Sequence, residues 1–378
     1  MVILQLSDVH LDCAFSGVLD QGVRDRLRAA QREVFREAVT GCPDADLVLL
    51  PGDLFEHDRV ELDTVRFMQG VFESVAPTPV FIAPGNHDPC VRGSYYLTVP
   101  WPKNVTVFAC SAFESRPLSD GRATVFGIAN SGTADSVRPL DNFRADGDGL
   151  KIGLIHGTCI DSVPEGFLSF HCLPFTSQNL SRAGFDYVAL GHFHSFTRFP
   201  ASGRTVACYS GSLHHTGFGA SGDKGSLIVR VEPGETDIQF NRIEYPSFHT
   251  IELDLGLIEQ SEQVVEAVRS VSESRNLSED LVRVRLRGEI DPALDLRLDD
   301  VQQRTADRFL YLSLDGSELT VGYDFEHIAA QDNVMGRLVR NTSEQLDNLS
   351  PDSRKRRVLE RARLYALDAL SGREVRQS

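Results

Sequence analysis

Side chains that bind metal ions recur at five places in the N-terminal part of the chain. Each group directly follows a short apolar run, and the groups consist of carboxylates, imidazoles and one amide. They comprise Asp8, His10, Asp53, Asn86, His87, Asp88, His156, His192 and His194. Oxygen and imidazole ligands of these types suit two divalent transition-metal ions, rather than calcium or a zinc site built from thiolates. The residue types therefore predict a dinuclear metal centre.

Each of these motifs, taken alone, has an ordinary structural explanation. A Gly-Asp pair such as Gly52-Asp53 is most often a turn, and two histidines at i and i+2 are more often hydrogen-bonded core or surface residues. An Asp after a strand frequently serves only as a cap or turn residue. The joint occurrence of five such groups, each behind an apolar run, favours metal binding over these explanations.

The apolar runs predict the strands that would carry these residues. Ten segments have the length and the Val, Ile and Leu content of buried strands. They are 2–6, 46–50, 79–83, 105–109, 124–128, 151–155, 186–190, 205–209, 225–231 and 237–243. Segments 22–39 and 61–75 have helical spacing of apolar residues. The order of elements predicts an α/β sandwich whose second half is mostly β, and ligands at the carboxyl ends of strands can converge in its crevice.

The pattern changes near residue 245. A strand within 245–255 is followed by a helix at 259–272, a strand at 281–286, a helix at 293–305 and a strand at 309–314. These elements predict a smaller α+β domain at 246–325 behind a first domain at 1–245.

Residues 326–378 predict a helical tail. Ser350 is expected to cap a helix that begins at Pro351. One face of this helix would consist of Val358, Ala362, Tyr365 and Ala369. Such a face would pack on its own protein or dock into a partner.

Composition and cysteine usage narrow the class of protein. The chain has 378 residues, more than one core usually contains, and its 41% hydrophobic and 24% charged residues are ordinary for a globular protein. The start MVILQLSDVH has no signal-peptide or membrane-segment features, so we expect a cytoplasmic protein with no membrane association. The seven cysteines form no CxxC pair, which indicates reduced thiols.

The formal net charge of -16 by itself disfavours a nucleic-acid partner. The charge is unevenly distributed, because residues 331–378 contain ten Arg or Lys against seven Asp or Glu. The run RKRR at 354–357 lies in this region. Basic residues are therefore concentrated towards the C-terminus.

The motifs resemble, in order, those of the calcineurin-like metallophosphoesterases. They are DVH at 8–10, GDLF at 52–55, GNHD at 85–88, HG at 156–157 and GHFH at 191–194. The flanks LSDVHLDCAFSG and PVFIAPGNHDP, and the GDKG at 222–225, resemble one branch, the SbcD- and YhaO-type DNA-repair exonucleases, bacterial relatives of the meiotic recombination nuclease. One difference is Ser210-Gly211-Ser212, where that branch often has PGS or PGN.

The resemblance implies a fold and a partner. The fold is a metallophosphoesterase αββα sandwich with a smaller capping, DNA-binding domain and a C-terminal helical tail. That tail would dock onto an SMC-like (SbcC-type) ATPase subunit, and DNA would be the substrate. Whether the chain also forms a homodimer is left open by the sequence.

The resemblance also implies a role for each residue of the site. Asp53 would bridge two divalent ions, expected to be Mn²⁺. The other ligands would be Asp8, His10 and His194 for the first ion, and Asn86, His156 and His192 for the second. His87, outside both shells, would stabilise the transition state or protonate the leaving oxygen. Asp88 would either orient His87 or cap the following turn.

Three functions are compatible with these observations. The first is a manganese-dependent DNA exonuclease, with endonuclease activity left open, that acts with the ATPase in DNA repair. The second is a small-substrate metallophosphoesterase for cyclic nucleotides or phosphomonoesters, which the acidic composition favours. The third is a non-catalytic scaffold for the ATPase, which the complete set of ligands disfavours.

Overall fold

The structure is a computed structural model that describes residues 1–132, 138–162, 172–199, 205–219, 222–256, 258–291, 294 and 296–372. The chain divides into two compact units, Met1–Pro246 and Ser247–Ser378. Among the described residues, no helix combines the length and the apolar character needed to cross a membrane.

The first unit is built on two six-stranded sheets. The first sheet contains β1 (Val2–Gln5), β2 (Leu47–Leu50), β3 (Val80–Ile82), β4 (Val105–Val107), β11 (Gly225–Glu232) and β12 (Glu235–Arg242), in the order β12-β11-β1-β2-β3-β4. Strands β1 to β4 are parallel, whereas β11 and β12 are antiparallel to their neighbours.

The second sheet contains β5 (Glu114–Pro117), β6 (Ala123–Gly127), β7 (Leu150–His156), β8 (Tyr187–Gly191), β9 (Thr197–Phe199) and β10 (Val206–Tyr209). Its order is β5-β6-β7-β8-β10-β9, and only the two edge strands, β5 and β9, are antiparallel to their neighbours.

Apolar side chains from both sheets share one core. Leu49 of β2 and Leu154 of β7 are fully buried in it. The amide of Gln5 also joins the sheets, since its Nε2 donates to the carbonyls of Leu190 (3.2 Å) and Cys208 (3.0 Å). These contacts set the ends of β1 and β8 against each other.

Four helices accompany the sheets within the described part of the first unit. They are α1 (Gln21–Thr40), α2 (Leu62–Ser74), α3 (Tyr95–Thr98) and α4 (Ser177–Ala183). Asp20 caps α1 by accepting a hydrogen bond from the amide of Val23 at 2.8 Å. Phe35 of α1 meets Phe72 of α2 edge to face, with ring centroids 5.8 Å apart.

The predicted α/β fold is confirmed for this unit. All ten predicted strands are present, with ends shifted by one or two residues. Strands β5 and β9 were not predicted, because their sequences ESRP and TRF lack an apolar run. Both are edge strands, which need no apolar residues on two faces.

The second unit has a three-stranded parallel sheet in the order β13-β14-β15. Its described elements are β13 (Phe248–Asp254), α5 (Ser261–Arg275), β14 (Leu281–Ile290), α6 (Leu298–Thr305), a 3₁₀ turn (Ala306–Arg308), β15 (Tyr311–Val321), α7 (Phe325–Ala330), α8 (Val334–Asp347) and α9 (Arg354–Leu370). Val264 and Val268 of α5 pack in one core with Val282 and Val284 of β14. Part of the predicted helix 293–305 lies outside the described residues, and α6 covers its second half.

The last helix differs from the prediction in its start and in its buried face. It begins at Arg354, and Ser353 rather than Ser350 caps it, with the Ser353 Oγ accepting from the amide of Arg356 at 3.2 Å. Leu367 is buried with Tyr323, Ile328 and Val339 of the same unit, whereas Val358 of the predicted face is 60% exposed. The face that packs against the same unit therefore contains Leu367 and not Val358.

Candidate metal centre

The predicted ligands and the predicted proton donor His87 lie at the carboxyl ends of five parallel strands. They are Asp8 and His10 after β1, Asp53 after β2, Asn86 and His87 after β3, His156 at the end of β7, and His192 and His194 after β8. Parallel neighbours end at the same edge of a sheet, so their loops meet in one crevice.

Donor atoms of these residues come together in four groups of three among the described residues. Within each group one donor atom per residue lies within 4.8 Å of the others. The groups are Asp8–His10–His194, His10–Asp53–His87, Asp8–Asp53–His156 and His156–Cys172–His192. Because neighbouring groups share members, they form one continuous cluster that extends from His194 to His192.

Asn86 joins the cluster through its side-chain oxygen. Its Oδ1 lies 3.0 Å from His156 Nε2 and 3.1 Å from His192 Nδ1. All seven predicted ligands are therefore in one place, although they come from strands spread over both sheets.

Several imidazoles have one nitrogen held by the protein and the other directed into the cluster. His156 Nδ1 donates to the Pro51 carbonyl at 2.8 Å, which leaves Nε2 to face Asp53 Oδ2 at 3.3 Å. His10 Nδ1 contacts Glu56 at 2.8 Å, and its Nε2 meets His194 Nε2 at 3.2 Å. Metal-binding histidines are commonly oriented in this way by a carbonyl or carboxylate on the second nitrogen.

The backbone at the strand ends is held in an unusual conformation. Asp8, His10, Asp53 and His192 have φ angles of 51°, 49°, 51° and 113°. Non-glycine residues adopt such angles at a cost of about 1–3 kcal/mol each, and they cluster at functional sites. Hydrogen bonds hold the loops in place, including Asp8 N to the Gly52 carbonyl (3.1 Å) and His10 N to the Asp53 carbonyl (2.9 Å).

Two glycines allow the loops to approach closely. A Cβ on Gly85 would lie 2.2 Å from Asp53 Oδ1, and one on Gly191 would lie 1.8 Å from the Pro51 carbonyl oxygen. Any side chain at either position would displace a ligand loop.

Glu56 is a residue of the site that the sequence analysis missed. Its Oε1 contacts His10 Nδ1 at 2.8 Å, and its Oε2 contacts His87 Nδ1 at 2.9 Å. One carboxylate thus orients a predicted metal ligand and the predicted proton donor. In the sequence Glu56 directly follows the GDLF motif, but no local pattern links it to His87, 31 residues later.

Asp88 has a different place from the one expected. Its buried carboxylate accepts from the amides of Asp53 (3.0 Å), Leu54 (2.7 Å) and Gly85 (2.6 Å), and from the hydroxyl of Tyr96 (2.6 Å). It therefore joins the loops after β2 and β3. Of the two roles that the sequence left open for Asp88, orientation of His87 is wrong, since Glu56 is the carboxylate at that ring. The amides that Asp88 accepts from precede it in the chain and do not belong to the following turn.

The charges of the cluster shift several pKa values. Burial raises the pKa of Asp8 to about 6. Burial would also raise the pKa of Asp53, but the charges of His156 and His10 hold it well below its usual range. Burial by itself would lower the pKa of His156. The charge and the hydrogen bond of Asp53 outweigh burial and raise this pKa to about 9. Carboxylates and protonated imidazoles thus compensate each other here, and a divalent cation would replace those protons.

The pair formed by His87 and Glu56 is ionised. The hydrogen bond from Glu56 is the main reason that the pKa of His87 is raised to about 9. Burial opposes ionisation of Glu56, but its hydrogen bonds with His10 and His87 lower its pKa to about 2. In the metal-free protein His87 therefore carries a proton at neutral pH.

Cys172 is a further residue that the sequence analysis did not connect with the site. It is buried, its Sγ accepts from Asn130 Nδ2 at 3.1 Å, and it belongs to the group with His156 and His192. All seven cysteines are free thiols, as predicted.

The donor set fits divalent transition metals. It combines two buried carboxylates, an amide oxygen and imidazoles, and the imidazoles of His10 and His156 have their second nitrogen hydrogen-bonded. These are the ligand types that such ions take in proteins. In this structure the seven predicted ligands, together with His87, Glu56 and Cys172, belong to or border the cluster.

Comparison with known proteins agrees with this geometry. A profile of the calcineurin-like phosphoesterase family matches residues 1–196. The protein named uncharacterized metallophosphoesterase YhaO, from Bacillus subtilis (strain 168), is 30% identical over 254 residues, which are 64% of this chain and 60% of that protein. The match thus spans less than two thirds of the relative. Since the family profile covers more than half of the chain and includes all of the predicted ligands, this protein belongs to the calcineurin-like phosphoesterase family.

Proposed function

We propose that the protein is a DNA nuclease that hydrolyses phosphodiester bonds, as an exonuclease, with two divalent ions that we expect to be Mn²⁺. The observation that carries the proposal is the continuous cluster of ligands from His194 to His192. When bound, a pair of divalent ions supplies an activated water and neutralises charge on the phosphoryl oxygens. The remaining tasks fall to residues of the chain.

Two sets of residues would hold the ions, with Asp53 shared between them. Its Oδ2 lies 3.9 Å from His10 Nε2 and 3.3 Å from His156 Nε2, so it is between the two sets. Asp8, His10 and His194 would hold one ion, and Asn86, His156 and His192 the other.

His87 would donate a proton to the departing oxygen. Its side chain is 45% exposed, beside the cluster, with its ring centroid 4.8 Å from that of His10. Because His87 Nδ1 donates its hydrogen bond to Glu56, Nε2 is the atom that would face the substrate. General acid catalysis of this kind contributes about 10²–10⁴-fold to a rate.

A DNA substrate is supported by the flanks of the motifs, which resemble the SbcD- and YhaO-type exonucleases. The second unit also supports it, because a small phosphoester needs no added sheet and helices. We further propose that an SMC-like ATPase binds to the C-terminal helices. The net charge of -16 favours the alternative of a small substrate, such as a cyclic nucleotide or a phosphomonoester.

The test compares substrates and variants of the purified full-length protein with Mn²⁺. We expect cleavage of labelled duplex and single-stranded DNA that EDTA abolishes. The change His87→Ala should lower the rate about 10²–10⁴-fold while Mn²⁺ binding is retained. His327→Ala, at an exposed position in the second unit, is the matched control and should leave the rate unchanged.

Two outcomes would contradict the proposal. Intact DNA together with rapid hydrolysis of a small phosphodiester would favour the small-substrate phosphoesterase. A wild-type rate for His87→Ala would contradict the proton-donor role.

A further inference from the structure

A buried lysine lies directly behind a predicted metal ligand. Lys224, which is 4% exposed, precedes β11 and donates from Nζ to the backbone carbonyl of His194 at 2.7 Å. Lysines are almost never buried to this extent, because removing an ammonium group from water is costly unless it is paired or hydrogen-bonded. The position of this lysine therefore calls for a function that offsets the cost.

The same carbonyl receives two further contacts from the turn that follows β10. Ser212 donates to it from its amide at 3.3 Å and from its Oγ at 3.4 Å. A Cβ on Gly211, which has a φ of 77°, would lie 2.8 Å from the amide nitrogen of Phe196 and 3.3 Å from the carbonyl oxygen of His194. The segment 210–212 and Lys224 thus enclose the backbone that carries His194.

This turn also reaches the other side of the first predicted ion site. Ser210 Oγ lies 2.8 Å from Ser7 Oγ, and Ser7 Oγ donates to Asp8 Oδ2 at 2.5 Å. Two of the four proposed ligands of one ion, Asp8 and His194, are therefore held by hydrogen bonds from residues that are not ligands themselves.

An ammonium near a cation site has two opposite effects. Burial lowers the pKa of Lys224, and the negative charge of Asp8 opposes this only in part. A positive charge at this range repels a metal ion, so electrostatics alone would make binding weaker in the presence of Lys224. Fixing the direction of the His194 imidazole would make binding stronger. Removing the lysine should therefore strengthen metal binding if repulsion dominates and weaken it if orientation of His194 dominates.

We propose that Lys224 is a positioning residue, which through its hydrogen bond to the His194 carbonyl holds the His194 imidazole in place for one of the two metal ions. The inference rests on the proposed metal-dependent function. It assigns Lys224 to the site of Asp8, His10 and His194, and leaves the site of Asn86, His156 and His192 independent of it.

The experiment is a calorimetric titration of Mn²⁺ into the metal-free full-length protein. Wild type should bind two ions. In Lys224→Met we expect one affinity to fall about 10–100-fold, the range for changes to residues that orient ligands, and the other to stay unchanged. Lys224→Arg retains a charged donor and should keep an intermediate affinity. Lys103→Met, at an exposed position, is the matched control and should behave as wild type.

Each contrary outcome has a distinct meaning. Wild-type or tighter binding by Lys224→Met would overturn the positioning role, and so would equal losses in the Met and Arg variants. If circular dichroism shows that Lys224→Met does not fold, Ser212→Ala takes its place. We expect this variant to lose less affinity, at the same ion. An unchanged affinity in Ser212→Ala would overturn the inference. Absence of Mn²⁺ binding by wild type would instead contradict the proposed function itself.

Discussion

Glu56 influences the protonation of two histidines of the site. It contacts two histidines with different tasks, one on each carboxylate oxygen. A ligand histidine must be neutral to bind a metal ion, whereas a proton donor must be charged. The shared carboxylate orients both rings, and in the metal-free protein its hydrogen bonds raise the pKa of both His10 and His87. A metal ion at His10 would have to displace the proton there, whereas His87 could keep its proton.

The first prediction concerns the change Glu56→Gln. The raised pKa of His87, about 9, depends first on its hydrogen bond with Glu56, so in the metal-free variant this pKa should fall towards the ordinary value of about 6.5. NMR titration of the His87 ring protons measures it. Glu33→Gln, at an exposed position on α1, is the control, and an unchanged His87 titration in Glu56→Gln would contradict the assignment.

The same pair has a defined effect on stability. A raised pKa in the folded protein means that His87 contributes stability below its unfolded pKa, and that this stability is lost as pH rises through about 9. Urea unfolding of metal-free wild type should therefore show a decrease in stability between pH 6.5 and pH 9 that is smaller in Glu56→Gln.

One buried carboxylate, that of Asp88, holds together the loops after β2 and β3. Asp88 accepts from three backbone amides and a tyrosine hydroxyl, so each of its oxygens has two donors. These loops carry Asp53 and Asn86. Asp88 therefore keeps ligands from two strands at a constant spacing, without being a ligand.

The second prediction follows from these contacts. Asp88→Asn puts an amide group against donors, and we expect a loss of about 1–3 kcal/mol in the free energy of unfolding. The melting temperature would fall by about 2–4 °C per kcal/mol in a unit of this size. Tyr96→Phe removes only one donor and should have the smaller effect. An unchanged melting temperature with an altered His87 titration would restore the original expectation for Asp88.

In the molecule as a whole, metal binding is coupled to the loss of protons from its ligands and to the stability of the fold. In the metal-free protein the pKa of His156 is about 9 and that of Asp8 about 6, and both groups must lose their protons to bind an ion. The third prediction is that the apparent Mn²⁺ affinity falls as pH decreases from 8 to 6. Calorimetry in buffers of different ionisation enthalpy should show proton release.

Mn²⁺ should also raise the melting temperature, because it binds only the folded chain. At 100 times the dissociation constant the added stability is about 2.7 kcal/mol per site. EDTA should reverse this shift. A pH-independent affinity would contradict the assignment of His156 as a ligand.

The fourth prediction concerns the proposed ATPase partner. Val358 of α9 is 60% exposed, and the exposed Arg354 and Arg357 lie beside it on the helix. Val358→Asp should weaken binding to an SMC-like ATPase at least about tenfold, or about 1.4 kcal/mol. Val334→Asp on α8, where the valine is 68% exposed, is the matched control. Equal binding by both variants would contradict docking through α9.

Most of the strands and the ligand set could be predicted from the sequence. Buried strands have a local signature in their apolar residues, and the ligands stand directly behind them, so a known strand also locates its ligand. The edge strands β5 and β9 were not predicted because they lack that signature.

The partners of each side chain were outside the reach of local patterns. Glu56 meets His87 across 31 residues, Lys224 meets His194 across 30, and Ser7 meets Ser210 across 203. Contacts at such separations exist only after the sheets have packed, so a pattern in neighbouring residues carries no trace of them. Residue type and spacing therefore predicted which atoms could bind a metal ion, and packing alone determined which groups orient them.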